Sequence, residues 1–208
     1  MPSKQYDFPE AVIQIFCKAP VAGQVKTRLM PQLDAIQAAA VHQQLALRTF
    51  ALVGSLRLCP VQLWCAPTVQ HPFFSNAAAT YSFSLHAQTD GDLGMRMDAT
   101  LRSGLEHAAC AVLIGCDCPS FTADDLVHAI QALRGGNDVV LAPTEDGGYS
   151  LIGLTHPQPD LFQDIHWSTP LVLAETRRKI AAAKLAAIEL NSQWDVDTYA
   201  DYLRLLAY

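Results

Sequence analysis

The sequence predicts a three-layer α/β/α fold built around a mostly parallel, mixed sheet. Short apolar runs alternate with longer helical stretches, the pattern of chains that lay strands side by side with a helix crossing between them. Some of the strand runs are apolar at nearly every position, which suits strands covered on both faces. Caps, prolines and glycines mark the helix boundaries.

The run Ala11–Cys17 is the first strand. Residues 35–53, rich in Ala, Leu and Gln, form a helix that Gly54 ends. Strands follow at Val61–Cys65 and at Tyr81–Leu85, where bulky and small polar residues alternate. Residues 93–109 read as a helix in spite of Gly104, and Ala111–Gly115 as a short core strand. Thr122, with Asp125 three residues on, opens a helix that ends near Arg134, before Gly135 and Gly136. Asp138–Ala142 and Tyr149–Leu154 are strands flanking a Thr-Glu-Asp-Gly-Gly turn. Thr169-Pro170 opens another helix, cap then proline. Leu185–Leu190 is a late strand, and Thr198 with Asp201 caps the last helix. No repeat or linker divides the chain, so residues 1–208 read as one domain.

Half of the residues are apolar, enough for one sizeable core, and the net charge of −6 argues against a nucleic-acid coat protein. Met1–Glu10 lacks the apolar run of a signal peptide and reads as a frayed leader. No apolar stretch approaches the roughly 18–20 residues that span a bilayer. A soluble, cytoplasmic protein with neither nucleic acid nor membrane as partner is expected. The six cysteines read as reduced, mostly buried thiols. Cys116 and Cys118 stand upstream of His128, but no second ligand pair follows at zinc-site spacing, and they read as strand-end packing residues.

Residues 18–29, K-A-P-V-A-G-Q-V-K-T-R-L, leave the first strand carrying Lys18, Lys26 and Arg28, with no acid between Ala11 and Leu33. Gly23 lets backbone N–H groups approach an anion, and the cations neutralise a pyrophosphate, so the loop, with Thr27 beside Lys26, is a candidate nucleotide-binding element. It lacks the spacing of a Walker A loop. A solvated basic loop is the plain alternative.

Asp117 stands just past the strand Ala111–Gly115, where an α/β sheet places its ligands. Asp195 and Asp197 lie two apart, so an extended backbone aims both at one face. Three carboxylates of this kind are candidate ligands for Mg2+ or Mn2+, hard cations that prefer oxygen and bridge phosphates. Asp197 has a second reading as a helix cap, and Asp117 as a loop acid bonded to nearby amides.

Five segments carry a resemblance: the basic loop, Asp117-Cys118-Pro119, Glu145-Asp146-Gly147-Gly148-Tyr149, Trp167-Ser168-Thr169-Pro170 and Asp195-Val196-Asp197-Thr198. In order and spacing the chain resembles small bacterial glycosyltransferase-like proteins often named for arsenosugar biosynthesis. That family is similar in fold to GT-A nucleotide-diphospho-sugar transferases and to the 2-phospholactate and molybdopterin guanylyltransferases. The resemblance implies a GT-A-like fold, with Asp117, Asp195 and Asp197 converging on metal and phosphate. It implies that Gly147 and Gly148 let an acceptor or sugar approach, that Glu145 or Asp146 binds hydroxyls or takes a proton, and that Tyr149 and Trp167 line the acceptor side. His166 is a further metal candidate. The segment Asp90–Arg96, with Asp92, also matches the pattern and is expected at the nucleotide pocket, although a loop-to-helix junction explains its glycines equally well. Where GT-A enzymes carry Asp-x-Asp, this chain has Cys116-Asp117-Cys118, a single acid, which makes the later pair more necessary. The expected activity is metal-dependent glycosyl transfer from a nucleotide-sugar to a small-molecule acceptor. The alternatives are nucleotidyl transfer from a nucleoside triphosphate with release of pyrophosphate, and a non-catalytic nucleotide-binding module.

Overall fold

A computed structural model describes residues 6–208. The elements are β1 (Ala11–Lys18), α1 (Ala35–Ser55), β2 (Val61–Ala66), α2 (Pro72–Tyr81), β3 (Ser84–Ala87), α3 (Leu93–Leu105), β4 (Cys110–Ile114), α4 (Ala123–Arg134), β5 (Val139–Pro143), β6 (Tyr149–Leu154), α5 (Val172–Ala182), β7 (Ala187–Glu189) and α6 (Tyr199–Ala207). Their strands form one sheet in the order β3-β2-β1-β4-β6-β5-β7. Only β6 runs against its neighbours β4 and β5, so the sheet is mixed and mostly parallel, as the sequence predicts.

Strand alternation explains the three layers. Ile13, Ile15 and Cys17 of β1, with Val112 and Ile114 of β4, face a core shared with Phe50 of α1, Phe74 of α2 and Ile130 of α4. Val12, Ala111 and Leu113, with Leu141 and Ile152, face the other way, onto Met97 and Leu101 of α3 and Leu173 and Ile180 of α5. Each fully buried aliphatic side chain of this kind contributes about 1.5–3 kcal/mol. The chain crosses from β1 outward to β2 and β3, then returns to place β4 on the other side of β1. The loops after β1 and β4 therefore diverge, and the crevice between them is where α/β sheets bind ligands.

Several boundaries differ from the sequence reading, each for a packing reason. Gly54 lies inside α1, not after it, because a Cβ there would strike the ring of Tyr81. Tyr81 closes α2, a helix the sequence reading lacked, and β3 starts only at Ser84. α3 stops at Leu105, and Gly104 is buried in it against Gln14 and Val12. α5 begins at Val172, after Leu171, so Thr169-Pro170 belong to the preceding turn. β7 shrinks to three exposed edge residues. Of the expected leader, residues 1–5 lie outside the described residues. The rest is not frayed: the amides of Asp7 and Phe8 bond to Arg57 O and Leu58 O, and Glu10 pairs with Arg134. No described helix is long and apolar enough to cross a membrane.

Candidate functional site

The site begins with a third, small cluster that folds two distant segments onto α1. Leu29 from the basic loop and Val196 from the late segment are both fully buried, packed with Ala38, Val41 and Leu45 of α1 and with Trp194. Because Val196 points into that cluster, the extended backbone turns Asp195 and Asp197 the other way, into an open cleft of about 690 Å³. The Val196 amide donates to Asp117 O at 3.1 Å, which ties this segment to the end of β4. Gln193 adds a second tie, its Oε1 accepting from Ser120 Oγ at 2.7 Å.

Lys26 is the centre of the arrangement. Its backbone adopts a left-handed conformation, φ 47°, at the start of a single 3-10 turn, and its side chain is 7% exposed. The ammonium donates to Asp117 Oδ2 at 3.0 Å and to Asp197 Oδ1 at 2.8 Å, while Arg28 Nη1 donates to Asp197 Oδ2 at 3.2 Å. Burial works against the ammonium, but the two carboxylates outweigh it and hold the Lys26 pKa well above its usual value. The same ammonium holds the Asp117 carboxyl below its usual range, more than offsetting burial. Thr198, not Asp197, caps α6, and Asp197 is engaged by Lys26 and Arg28; Asp117 reaches Lys26 across the crevice while a backbone amide of its own loop also bonds to its carboxyl.

Asp195 is different. Burial, then the charges of Asp117, Asp146 and Asp197, push its carboxyl up to about 7. Asp146 itself is held from two sides, accepting from Thr144 Oγ1 at 2.5 Å and from the Gly148 amide at 3.0 Å. Four carboxylates thus crowd one end of the cleft, with Lys26 and Arg28 paired to two of them. Lys18, Thr27, Gly148, Tyr149 and Trp167 also line the cleft. Tyr149 offers its ring, for its hydroxyl is buried beside Thr176.

Five expected residues are placed elsewhere. Glu145 turns outward to α6, where Arg204 grips it through two hydrogen bonds of 2.7 and 3.1 Å. Asp92 caps α3 through the Met95 amide, because a loop-to-helix junction claims its oxygen. Gly23 sits exposed in the loop with φ 79° and open space around it, away from the cleft lining. Gly147 has φ 89° and lies so close to Pro170 O that a Cβ would collide with it, so its role is to let the Trp167–Pro170 turn approach. His166 is exposed and bonded to Glu175, 2.6 Å from Nδ1 to Oε1, and does not line the cleft.

Sequence reasoning missed the contribution of α1. His42 lines the cleft, its Nε2 2.8 Å from Lys18 O, and burial lowers its pKa. The signal was there: His42 falls among Ala38, Val41, Leu45 and Ala46 on the buried stripe of a helix. All six cysteines are buried and free. Cys116 has as its neighbours Cys17 and His42, not His128, which is exposed on α4.

The comparisons agree with this architecture. A family model described as "Uncharacterized protein conserved in bacteria (DUF2064)" matches residues 49–169. Among solved structures, the chain is similar to a candidate nucleotide-diphospho-sugar transferase from Desulfovibrio desulfuricans G20, with 27% identity and a TM-score of 0.82 over 92% of this chain and 84% of that one. It shares its fold with 4-diphosphocytidyl-2C-methyl-D-erythritol synthase from Anaerococcus prevotii (10% identity, TM-score 0.60, 96% and 98% covered). It also shares it with CMP:2-keto-3-deoxy-manno-octonic acid synthetase complexed with CTP (14%, TM-score 0.57, 95% and 97% covered). No curated protein matches the sequence. The fold is that of the nucleotide-diphospho-sugar transferases, and its neighbours are transferases.

Proposed function

The chain belongs to the DUF2064 family, and from that premise we propose that it transfers a glycosyl group from a nucleotide-sugar to a small-molecule acceptor. The observation that carries this reading is Lys26, dried by the fold and shared between Asp117 and Asp197 at the mouth of the crevice between β1 and β4. Lys26, Arg28, Lys18 and Thr27 bind the donor's phosphates and neutralise the nucleoside diphosphate as it leaves. Asp146, oriented by Thr144 and Gly148, takes the proton of the acceptor hydroxyl as its oxygen bonds to the sugar carbon and the bond to the phosphate breaks. Trp167 stacks on the sugar ring.

The residues also fit a divalent cation. Asp195 is disfavoured as a lone charge beside Asp117, Asp146 and Asp197, and an all-oxygen set suits Mg2+ or Mn2+. Asp117, Asp195 and Asp197 would hold the ion, which when bound supplies further positive charge to the departing phosphate.

Nucleotidyl transfer is the second reading, favoured by three cations on one loop, a charge that suits a triphosphate tail. Incubation with Mg2+ or Mn2+ and a panel of nucleotide-sugars, nucleoside triphosphates and sugar or sugar-phosphate acceptors separates the two. Release of a nucleoside diphosphate from a nucleotide-sugar, lost in Asp195→Asn, is expected. Pyrophosphate from a nucleoside triphosphate would replace the first reading with the second, and tight nucleotide binding without turnover of either would leave a binding module.

A further inference from the structure

The same cleft wall holds a second set of ligand atoms with opposite chemistry. Cys17 at the end of β1, Cys116 just past β4 and His42 on α1 each offer one ligand atom, all within 4.8 Å of one another. They are 2%, 5% and 5% exposed, yet all three line the cleft. β1 and β4 are adjacent parallel strands whose ends stay side by side at the crevice, and α1 carries His42 over them. The three come from places 25 and 74 residues apart or more, so the cluster is made by the fold alone.

We propose that Cys17, His42 and Cys116 form a thiolate–imidazole site for a thiophilic d10 cation, Zn2+ foremost, separate from the carboxylates. Two thiolates and an imidazole are the donors that select zinc over magnesium or manganese. With metal–sulfur and metal–nitrogen bonds of about 2.3 and 2.0 Å, tetrahedral ligands stand about 3.3–3.8 Å apart. A set already within 4.8 Å closes on an ion with side-chain shifts of about 1 Å. Two thiolates cancel the charge of Zn2+, so the filled site is neutral and suits a buried wall. His42 is held over the end of β1: its Nε2 lies 2.8 Å from Lys18 O, the carbonyl that also accepts from Cys17 Sγ at 3.3 Å, so one backbone group fixes the imidazole beside the thiol. Three protein ligands leave a fourth position, which opens on the cleft.

The test needs no nucleotide, so it stands or falls apart from the transferase reading. The reduced, metal-free full-length protein is titrated with Co2+, a spectroscopic stand-in for Zn2+. One equivalent should raise a thiolate-to-cobalt charge-transfer band that Zn2+ abolishes. The band should weaken at least 10-fold in Cys116→Ser and His42→Ala, with folding checked by circular dichroism, and persist in Cys59→Ser. Because a buried substitution can unfold the chain, alkylation of the wild type is followed by mass spectrometry with and without Zn2+. Selective protection of Cys17 and Cys116 is expected. Co2+ bound without a thiolate band, a band undiminished in folded Cys116→Ser, or no protection of Cys17 and Cys116 by Zn2+ would overturn the proposal.

Discussion

Replacing Lys26 by methionine keeps the stem and removes the charge on which the cleft is organised. At an effective dielectric constant of about 20, unit charges 3 Å apart attract by about 5 kcal/mol, and Lys26 faces two carboxylates at 3.0 and 2.8 Å. That attraction is opposed by the cost of drying the ammonium, whose side chain is only 7% exposed. Breaking a fully buried pair costs about 3–5 kcal/mol, because the abandoned partner stays dry. Here Asp117 and Asp197 keep 39% and 35% of their side chains in solvent, so they rehydrate once the lysine goes. The expected loss is therefore smaller, about 2 kcal/mol, or about 4–8 °C in Tm for a domain of this size. The effect on binding should be larger than the effect on folding. A hydrogen bond to a charged group is worth about 1.5–3 kcal/mol, so nucleotide affinity should fall about 10–100-fold. Calorimetric titration with nucleoside diphosphates and Mg2+, at a temperature where Lys26→Met is folded, measures it. Repeating the titration in Asp197→Asn and in the double variant closes a cycle, with a coupling of at least about 1 kcal/mol expected between directly bonded groups. A folded Lys26→Met that binds nucleotide like the wild type, or strictly additive effects in the cycle, would refute the clamp.

Two further expectations concern the frame around the site. Gly147→Ala should destabilise by about 2–4 kcal/mol, since φ 89° is strained for any L side chain and a Cβ would meet the backbone of Pro170; an unchanged thermal melt would contradict the close approach. Arg177 grips Glu189 through two bonds of 2.7 Å, tying α5 to β7. The guanidinium holds the Glu189 carboxyl below its ordinary 4.5. A lowered folded pKa means that the stabilisation is complete above the ordinary value and is lost as pH falls through the lowered one. The pair is half open to solvent, so Glu189→Gln should cost only about 0.5–1 kcal/mol at pH 7. That difference should shrink in urea melts as pH falls below the ordinary carboxylate value and through the lowered one, and a difference that grew toward acid would reverse the argument.

What the sequence determined by itself is local. Apolar runs buried on both faces, capping pairs such as Thr122 with Asp125 and the alternation of strands and helices are written in residues near one another, and they specified the layered, mostly parallel sheet. The period-two geometry of Asp195-Val196-Asp197 likewise put both acids on one face, opposite a buried Val196. Tertiary structure decided which charges meet. Lys26 and Asp197 stand 171 residues apart and touch only because Leu29 and Val196 share one apolar cluster on α1. It decided that Glu145 serves α6 and Asp92 caps α3, for a carboxylate's partner depends on which donor packing brings nearest. Gly54, a helix stop in one dimension, and Gly104, a weak point within a helix, are close-packing residues in three, against Tyr81 and Gln14. Cys17, His42 and Cys116 carry no spacing at all along the chain, and only adjacent strand ends beneath a helix bring three soft ligands within 4.8 Å.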